Sequence, residues 1–361
     1  MNHTVQPTSE QVQAHIRLFE PFVLAALPAD PPRVKPGRRG APQRLSWAHL
    51  WFRLIFGMLC GMRSYQDLRR DCAEQPLGPF PAVKITDDGL LKRLNQAGLA
   101  PLQELLARLS DTLGRWLPTQ CPCTLASWAS AISALDETTW DAVRRHLPIL
   151  RALPNGDVGL QAGKMAARFN LRTQLWEFVQ FRDNPLGNCK LDACSLLQGL
   201  PVGALLLFDP GYFSFAFLDY LSQYRYWFIS RMREDVQYQI AHTLYRHQGT
   251  LDALVWLGAA GRNSSRCGRL VRLVRFWDGK QLRTYLTNQF DPTLLSLPDI
   301  ARLYARSFDI ELAFLTLKEH LDLHHWWRGI AVLRQQQALV VLIVAQLLNA
   351  TRLADRCRAR L

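Results

Sequence analysis

Ala204-Leu-Leu-Leu-Phe-Asp209-Pro-Gly211 reads as a strand that ends on a carboxylate. Its uninterrupted apolar run has no polar alternation, the pattern of a strand buried on both faces of a sheet. Pro210-Gly211 ends it, since proline cannot donate to a ladder. Four further stretches read as strands around it: Ala131 to Asp136, Lys164 to Leu171, Leu175 to Phe181 and Tyr226 to Ser230, with Phe213 to Gln223 a helix. Three leading strands followed by alternating strand and helix predict an α/β fold with a mixed sheet flanked by helices.

Outward from this core the periodicity changes on both sides. Between about 235 and 297, Leu254 to Leu257, Arg269 to Phe276 and Leu282 to Thr287 read as strands, with Asp278-Gly279 as a hairpin turn, so this part is expected to be a β-rich insertion. On the N-terminal side helices are expected over Ser9 to Leu27, Ser46 to Met62, from Ser64, from Thr86 and over Leu102 to Leu117. The three middle helices suit either a helix-turn-helix unit or a helical cap on the main domain. Pro31 to Arg44 holds five basic residues, four prolines and no acid, a basic arm for phosphate or a solvated loop. The expected organisation is a helical N-terminal DNA-binding or cap region over 1–120 with a basic linker at 31–45. The mixed-sheet domain over 121–234 and 298–350 follows, with the insertion at 235–297 and a basic tail at 351–361.

The 361 residues carry 43 Lys and Arg against 30 Asp and Glu, a net charge of +13, with 48% apolar and 20% charged residues. That is globular composition, and the basic excess suits a polyanionic partner. Met1 to Glu20 has no apolar core of a signal peptide. The longest apolar run, Ala338 to Leu348, is short for a bilayer and broken by Gln346, which sets membrane partners aside. Eight cysteines without a CxxC pair are expected to be reduced, mostly buried thiols of a cytosolic protein; Cys121-Pro-Cys123 lacks two further metal ligands.

The chemistry converges on three carboxylates. Asp136 and Asp209 each end an apolar strand, and neighbouring strands would bring them to one sheet edge. A third is Glu311, in Tyr304-Ala-Arg-Ser-Phe-Asp-Ile-Glu311-Leu-Ala-Phe-Leu-Thr-Leu-Lys318. Seven residues of helix turn through about 700°, so Tyr304, Glu311 and Lys318 are expected on one stripe, beside an apolar stripe of Ile310, Phe314, Leu317 and Leu321. Clustered carboxylates repel and stay ionised only with cations between them, and hard oxygens favour magnesium or manganese. Two such ions suit phosphodiester cleavage. Each residue also has a plain reading: Asp136 capping the turn before Thr138, Asp209 fixing the Pro-Gly turn, Glu311 paired with Arg306 or Lys318. A two-carboxylate glycan hydrolase is a further alternative, against which the +13 charge argues.

Leu135-Asp136, then Phe208-Asp-Pro-Gly-Tyr212, then Tyr304 to Lys318 resembles, in order and spacing, the DDE transposases of bacterial insertion sequences marked by a Y-x2-R-x3-E-x6-K signature. The resemblance implies a ribonuclease H-like catalytic domain with a β insertion, two Mg2+ or Mn2+ ions, and strand cleavage and transfer at transposon ends. It implies double-stranded DNA with terminal inverted repeats as partner, a homodimer on DNA, and a cytoplasmic, nucleoid-associated location. Asp136, Asp209 and Glu311 would be the metal-binding triad, and Tyr304 and Lys318 would contact phosphates. The signature's arginine falls at Ser307, with Arg306 next door but about 100° around the helix. A repurposed, catalytically inactive DNA-binding protein is the alternative that Ser307 suggests.

Arg231 and Arg233 follow the fifth strand, where they line a DNA channel or form exposed ion pairs. Arg262, Arg266, Arg269, Arg272 and Arg275 give the insertion a basic surface for backbone contact. Trp256 and Trp277 suit either base stacking or the core of the insertion. His320 and His324 have helical ligand spacing but no third ligand.

Overall fold

A computed structural model describes residues 9–29, 45–117, 126–141, 161–184, 187, 189–258, 266–277, 279–323 and 326–358. The basic arm, Cys121-Pro-Cys123, Arg262, Asp278, His324 and His325 lie outside the described residues. In chain order the helices α1 (Ser9–Ala26), α2 (Trp47–Leu59), α3 (Tyr65–Glu74), α4 (Asp87–Ala97) and α5 (Ala100–Trp116) come first. Strands β1 (Ile132–Asp141), β2 (Gln161–Asn170), β3 (Leu175–Arg182) and β4 (Leu205–Phe208) follow, then α6 (Phe215–Gln223) and β5 (Trp227–Arg231). Next come β6 (Tyr238–His247), β7 (Thr250–Leu257), β8 (Val271–Trp277) and β9 (Leu282–Thr287), and finally α7 (Leu297–Arg306), α8 (Phe308–Glu319) and α9 (Ala331–Arg358). The chain divides into two compact units, one of Met1–Pro118, Trp140–Ala162 and Leu317–Leu361, the other of Thr119–Thr139 and Gly163–Thr316.

The first unit is helical. Ser46, Ser64 and Thr86 cap α2, α3 and α4 by accepting backbone N–H groups three residues on, which fixes the helix starts where the sequence predicts them. The connection from α3 to α4 runs through 75–86, longer than the three or four residues of a helix-turn-helix. Arg53 is fully buried in α2, with Asp71 at 2.7 Å, the Gln75 carbonyl and His49 as partners. Burial and then the Arg53 charge push the His49 imidazole down to about 4, so it stays neutral. The apolar run Ala338 to Leu348 is part of the 28-residue α9. Over Ala331–Leu353 that helix is long and apolar enough to cross a membrane by length and composition, yet 67% of the stretch is buried inside the protein. Its glutamines are partnered there: Gln336 donates to the Leu94 and Gly98 carbonyls at 2.8 Å, and Gln346 to Ser110 at 3.0 Å.

The second unit is built on one nine-stranded sheet in the order β3-β2-β1-β4-β5-β9-β8-β7-β6. β4 lies in the middle of three parallel strands, with β1 on one side and β5 on the other, and all four of its residues are buried. The order 3-2-1-4-5, with helices on its faces, is the expected ribonuclease H-like mixed sheet. The four strands between β5 and α7 extend this same sheet, because β9 pairs antiparallel with β5 and β8, β7 and β6 follow as a meander. Sequence reading missed β6: it is the edge strand and nine of its ten residues are exposed, so no apolar alternation marks it. One apolar cluster runs the breadth of the sheet, from Leu135 and Ala166 through Phe208 and Phe228 to Ala253, Leu273 and Leu286.

Three expectations for this region change. Arg272 is not surface: it is fully buried, donates from Nε and Nη2 to the two Asp252 oxygens at 2.8 and 2.7 Å, and from Nη1 to the Gln289 and Leu295 carbonyls. Trp277 is 63% exposed and not core, since it ends β8 beyond the covered face. Cysteine burial is also mixed: Cys72 and Cys267 are buried, Cys189 is half-buried, and Cys60 and Cys194 are exposed.

The Arg272–Asp252 pair links β8 to β7 at the centre of the outer sheet. Asp252→Ala would strand a buried guanidinium and is expected to cost about 3–5 kcal/mol, read as a lowered urea midpoint at unchanged slope. A loss below about 1 kcal/mol would mean the pair behaves like a surface one.

Candidate active site

The parallel ladder between β1 and β4 pairs Ile132 with Leu205, Ser133 with Leu206, Ala134 with Leu207 and Leu135 with Phe208. Asp136 and Asp209 each follow the last of these pairs. The two carboxylates therefore leave neighbouring parallel strands at the same level and, by strand alternation, on the same face. Asp136 is half-buried and Asp209 exposed. β4 stops at this level because Pro210 cannot continue the ladder. β1 does not: it runs on to Asp141, so Asp136 stands inside the strand and not at its end as the sequence suggested. Thr138, Thr139 and Trp140, all strand-favouring, carry it past the carboxylate.

Asp209 also caps the 3-10 turn Pro210–Tyr212, its Oδ1 accepting the Gly211 N–H at 3.0 Å. A Cβ on Gly211 would lie 2.9 Å from that oxygen, so a larger residue there would push the Asp209 carboxylate aside. The turn-fixing reading of Asp209 is met by this geometry.

Glu311 comes from α8, which is fixed at several points. Ile310 and Phe314 are buried, and the Phe314 ring lies 5.0 Å from that of Trp176 on β3. Arg306 donates to Asp309 at 2.7 Å and to the Leu171 carbonyl at 3.0 Å, and Gln174 donates to Asp309 at 2.9 Å, tying the start of α8 to the β2–β3 turn. Arg306 is thus committed to structure. The single helix expected over Tyr304 to Lys318 is two helices meeting at Ser307, whose N–H and hydroxyl both turn back to the Tyr304 carbonyl. Leu321 falls beyond α8, and His320 is in the turn after it. Lys318 closes α8 in the other unit.

The charges act on one another. Asp136 is pushed up to about 7, first by burial and then by the neighbouring Asp209, Glu311 and Glu137 carboxylates, against a 2.8 Å bond from the Glu137 N–H. Asp209, exposed as a residue but with its carboxyl partly desolvated, is raised by that desolvation and by Glu137 and lowered by the Gly211 and Tyr212 N–H groups and by Arg231. Glu311 is raised by burial and by Asp209. Tyr304 is buried, its ring 5.0 Å from that of Tyr285. Burial first and Asp209 next push its phenol up to about 12 against the pull of Arg231, so it remains a hydrogen-bond donor. Among the described residues no three His, Cys, Asp or Glu side chains are grouped closely enough to hold one metal ion. The donor set itself fits hard divalent cations: acceptor-only oxygens raising one another's pKa, a repulsion that a cation would relieve.

Beside Asp209 opens a groove of about 710 Å³, lined by Pro210, Arg231, Arg233, Tyr238, Arg275 and Arg283 among others. Arg233 is paired with Asp235 at 2.6 Å, and Arg275 donates to the Tyr238 hydroxyl. Arg231, Arg233 and Arg275 were legible as basic positions, but Arg283 and the groove were not. Sequence reading also passed over Glu137, which receives Lys164 from β2 and has Arg182 of β3 at 4.0 Å. Its signal was adjacency to Asp136 alone.

Residues 164–348 match the transposase DDE domain family. The matched span contains Asp209 and Glu311 and begins after Asp136. A search of curated proteins found no match. Among solved structures, the cryo-EM structure of a piggyBac transposase synaptic complex with hairpin DNA is similar at a TM-score of 0.42 and 8% identity, covering 99% of this chain and 70% of that one.

The raised Asp136 pKa fixes a sign for stability. The folded state keeps this proton up to about pH 7 while the unfolded chain releases it near 4, so Asp136 subtracts from stability as pH rises between those values. Asp136→Asn in EDTA is expected to gain on the parent by on the order of 2 kcal/mol more at pH 8 than at pH 5. Urea unfolding at the two pH values measures it, and a pH-independent difference would contradict the raised pKa.

Proposed function

The chain belongs to the transposase DDE domain family, and we propose that Asp136, Asp209 and Glu311 are the carboxylates with which it cuts and rejoins DNA at transposon ends. The family implies phosphodiester cleavage and transesterification. The observation that carries the assignment to these residues is the β1–β4 register, which aligns Asp136 with Asp209 while α8 brings a third carboxylate whose charge acts on both.

Bound Mg2+ or Mn2+, two ions by the resemblance, would supply Lewis-acid activation and charge relief at the phosphate. The chain's own side chains do the rest. The ionised carboxylates hold the site's negative charge at a fixed edge. Tyr304 donates its phenol proton toward the phosphate region beside Arg231, and Arg231, Arg275 and Arg283 line a path for the phosphates of the bound strand. Ser307 spends its hydroxyl on the Tyr304 carbonyl. Phosphate clamping therefore falls to Arg231 and its groove, and not to a guanidinium on α7 or α8. A nick by water and attack of the freed 3′-hydroxyl on target DNA use the same carboxylates in turn. The substrate is double-stranded DNA with terminal inverted repeats, which a homodimer holds as a pair of ends, and the +13 charge supports the polyanionic partner.

Asp136→Asn and Glu311→Gln are each expected to abolish magnesium-dependent cleavage of end-containing DNA while leaving binding intact in a gel-shift assay. Cleavage at the parent rate in either variant would sink the assignment. For the groove, Arg231→Ala is expected to weaken binding across unrelated sequences and to reduce the slope of log K against log salt by about 1. An unchanged slope removes Arg231 from the phosphate path.

A further inference from the structure

Behind the sheet edge, on the face opposite the aspartates, two buried polar atoms lack hydrogen-bond partners. The Tyr212 hydroxyl belongs to a side chain only 1% exposed, and Oε2 of Glu137 is equally enclosed, facing the Arg182 guanidinium at 4.0 Å, beyond hydrogen-bond reach. Glu137 directly follows Asp136, and Tyr212 is three residues beyond Asp209. Strand alternation puts Glu137 on the Leu135 face, and Leu135 and Tyr212 share the apolar cluster there. Of the charges that bear on the Tyr212 phenol, Glu137 is the strongest, ahead of Asp136, Cys189 and Asp209. A buried donor and a buried acceptor left open on adjoining segments each carry a penalty that their union would remove.

The same two segments are already tied by a second route. Lys164 donates both to Glu137 and, at 3.3 Å, to the Gly187 carbonyl. Two residues on, the Cys189 thiol donates to the Gly211 carbonyl at 2.9 Å. The backbone after Asp136 and the turn after Asp209 are therefore held by contacts at Gly187 and Cys189, two residues apart in the chain, and a Tyr212–Glu137 bond would add a direct tie.

We propose that the Tyr212 hydroxyl donates to Glu137 when the carboxylates take up a divalent cation, and that this bond sets the spacing of Asp136 and Asp209. Tyr212 and Glu137 are positioning residues: neither is placed on the aspartates' face, and each acts through the strand end that carries an aspartate. The inference rests on the carboxylate assignment above. It also accounts for a cluster whose members sense one another's charge without being grouped tightly enough to hold an ion.

The test is Mn2+ titration by calorimetry into the DNA-free full chain, paired with thermal unfolding in EDTA. Tyr212→Phe is expected to weaken Mn2+ binding roughly tenfold or more, the usual scale for groups that orient metal ligands. Its melting temperature in EDTA should be unchanged or raised, because the hydroxyl has no partner there. Glu137→Gln is expected to weaken Mn2+ binding too, and the double variant to be no worse than the poorer single one. Parent-like Mn2+ affinity in Tyr212→Phe, additive losses, or a lowered melting temperature in EDTA would overturn the proposal. Failure of the parent chain itself to bind Mn2+ would instead overturn the carboxylate assignment, and this inference with it.

Discussion

Two carboxylates that leave adjacent parallel strands at one level cannot avoid each other's field, and the second unit is organised around that constraint. The β1–β4 register is held by residues buried on both faces, so a slip of one position would turn an aspartate to the opposite face and expose an apolar strand. The packing that stabilises β4 therefore also fixes the electrostatic conflict at its end. Asp136, the more buried of the pair, takes the larger share and holds its proton to about pH 7. Such a site is costly for the isolated chain, and a cation between the carboxylates would relieve that cost.

The remainder of the unit bears on how that conflict is framed. α8 is not free to carry Glu311 elsewhere, because Phe314 packs on Trp176 and Arg306 with Gln174 fixes Asp309 against the β2–β3 turn. On the other side, β9 to β6 widen the sheet and bring Arg275 and Arg283 to the groove that begins at Pro210. Arg272, from the same strand as Arg275, shows the other use of a guanidinium: turned inward against Asp252 it holds the sheet together, while Arg275 faces the groove. Alternation along β8 puts residues three apart on opposite faces but does not say which of the two is enclosed, since both are basic positions in an apolar run. What decides is the acid opposite, and Asp252 is 20 residues away.

Much of this was legible from residues. The buried run Leu205–Phe208 identified the central strand, and its closing Asp209-Pro-Gly identified the edge, because few sequences place a carboxylate on a wholly apolar strand without a partner for it. The helical starts at Ser46, Ser64 and Thr86 were legible for the same local reason, a side-chain oxygen able to accept a backbone N–H. Illegible features were those that depend on a distant partner. β6 is an exposed edge with no buried face to pattern it. Arg272 and Glu137 look like surface charges until Asp252 and Lys164 are brought beside them. Tyr212 reads as part of a turn motif, and only its enclosure reveals an unpaired hydroxyl.

The break at Ser307 has the widest consequence for how the site is read. A continuous helix would have stacked Tyr304, Glu311 and Lys318 on one stripe as a single recognition surface. Instead, Ser307 bonds the Tyr304 carbonyl through both its N–H and its hydroxyl, the tight geometry of a helix end, and α8 starts afresh at Phe308. Tyr304 then belongs with Tyr285, Arg231 and Asp209 on the sheet side, while Glu311 answers to the contacts that fix α8 on β3. An arginine at 307 would have had to give up this bond to reach a phosphate. With serine there, the break is secured locally, and the cation whose charge reaches both the Tyr304 phenol and the Asp209 carboxylate is Arg231, which the fold delivers from a strand.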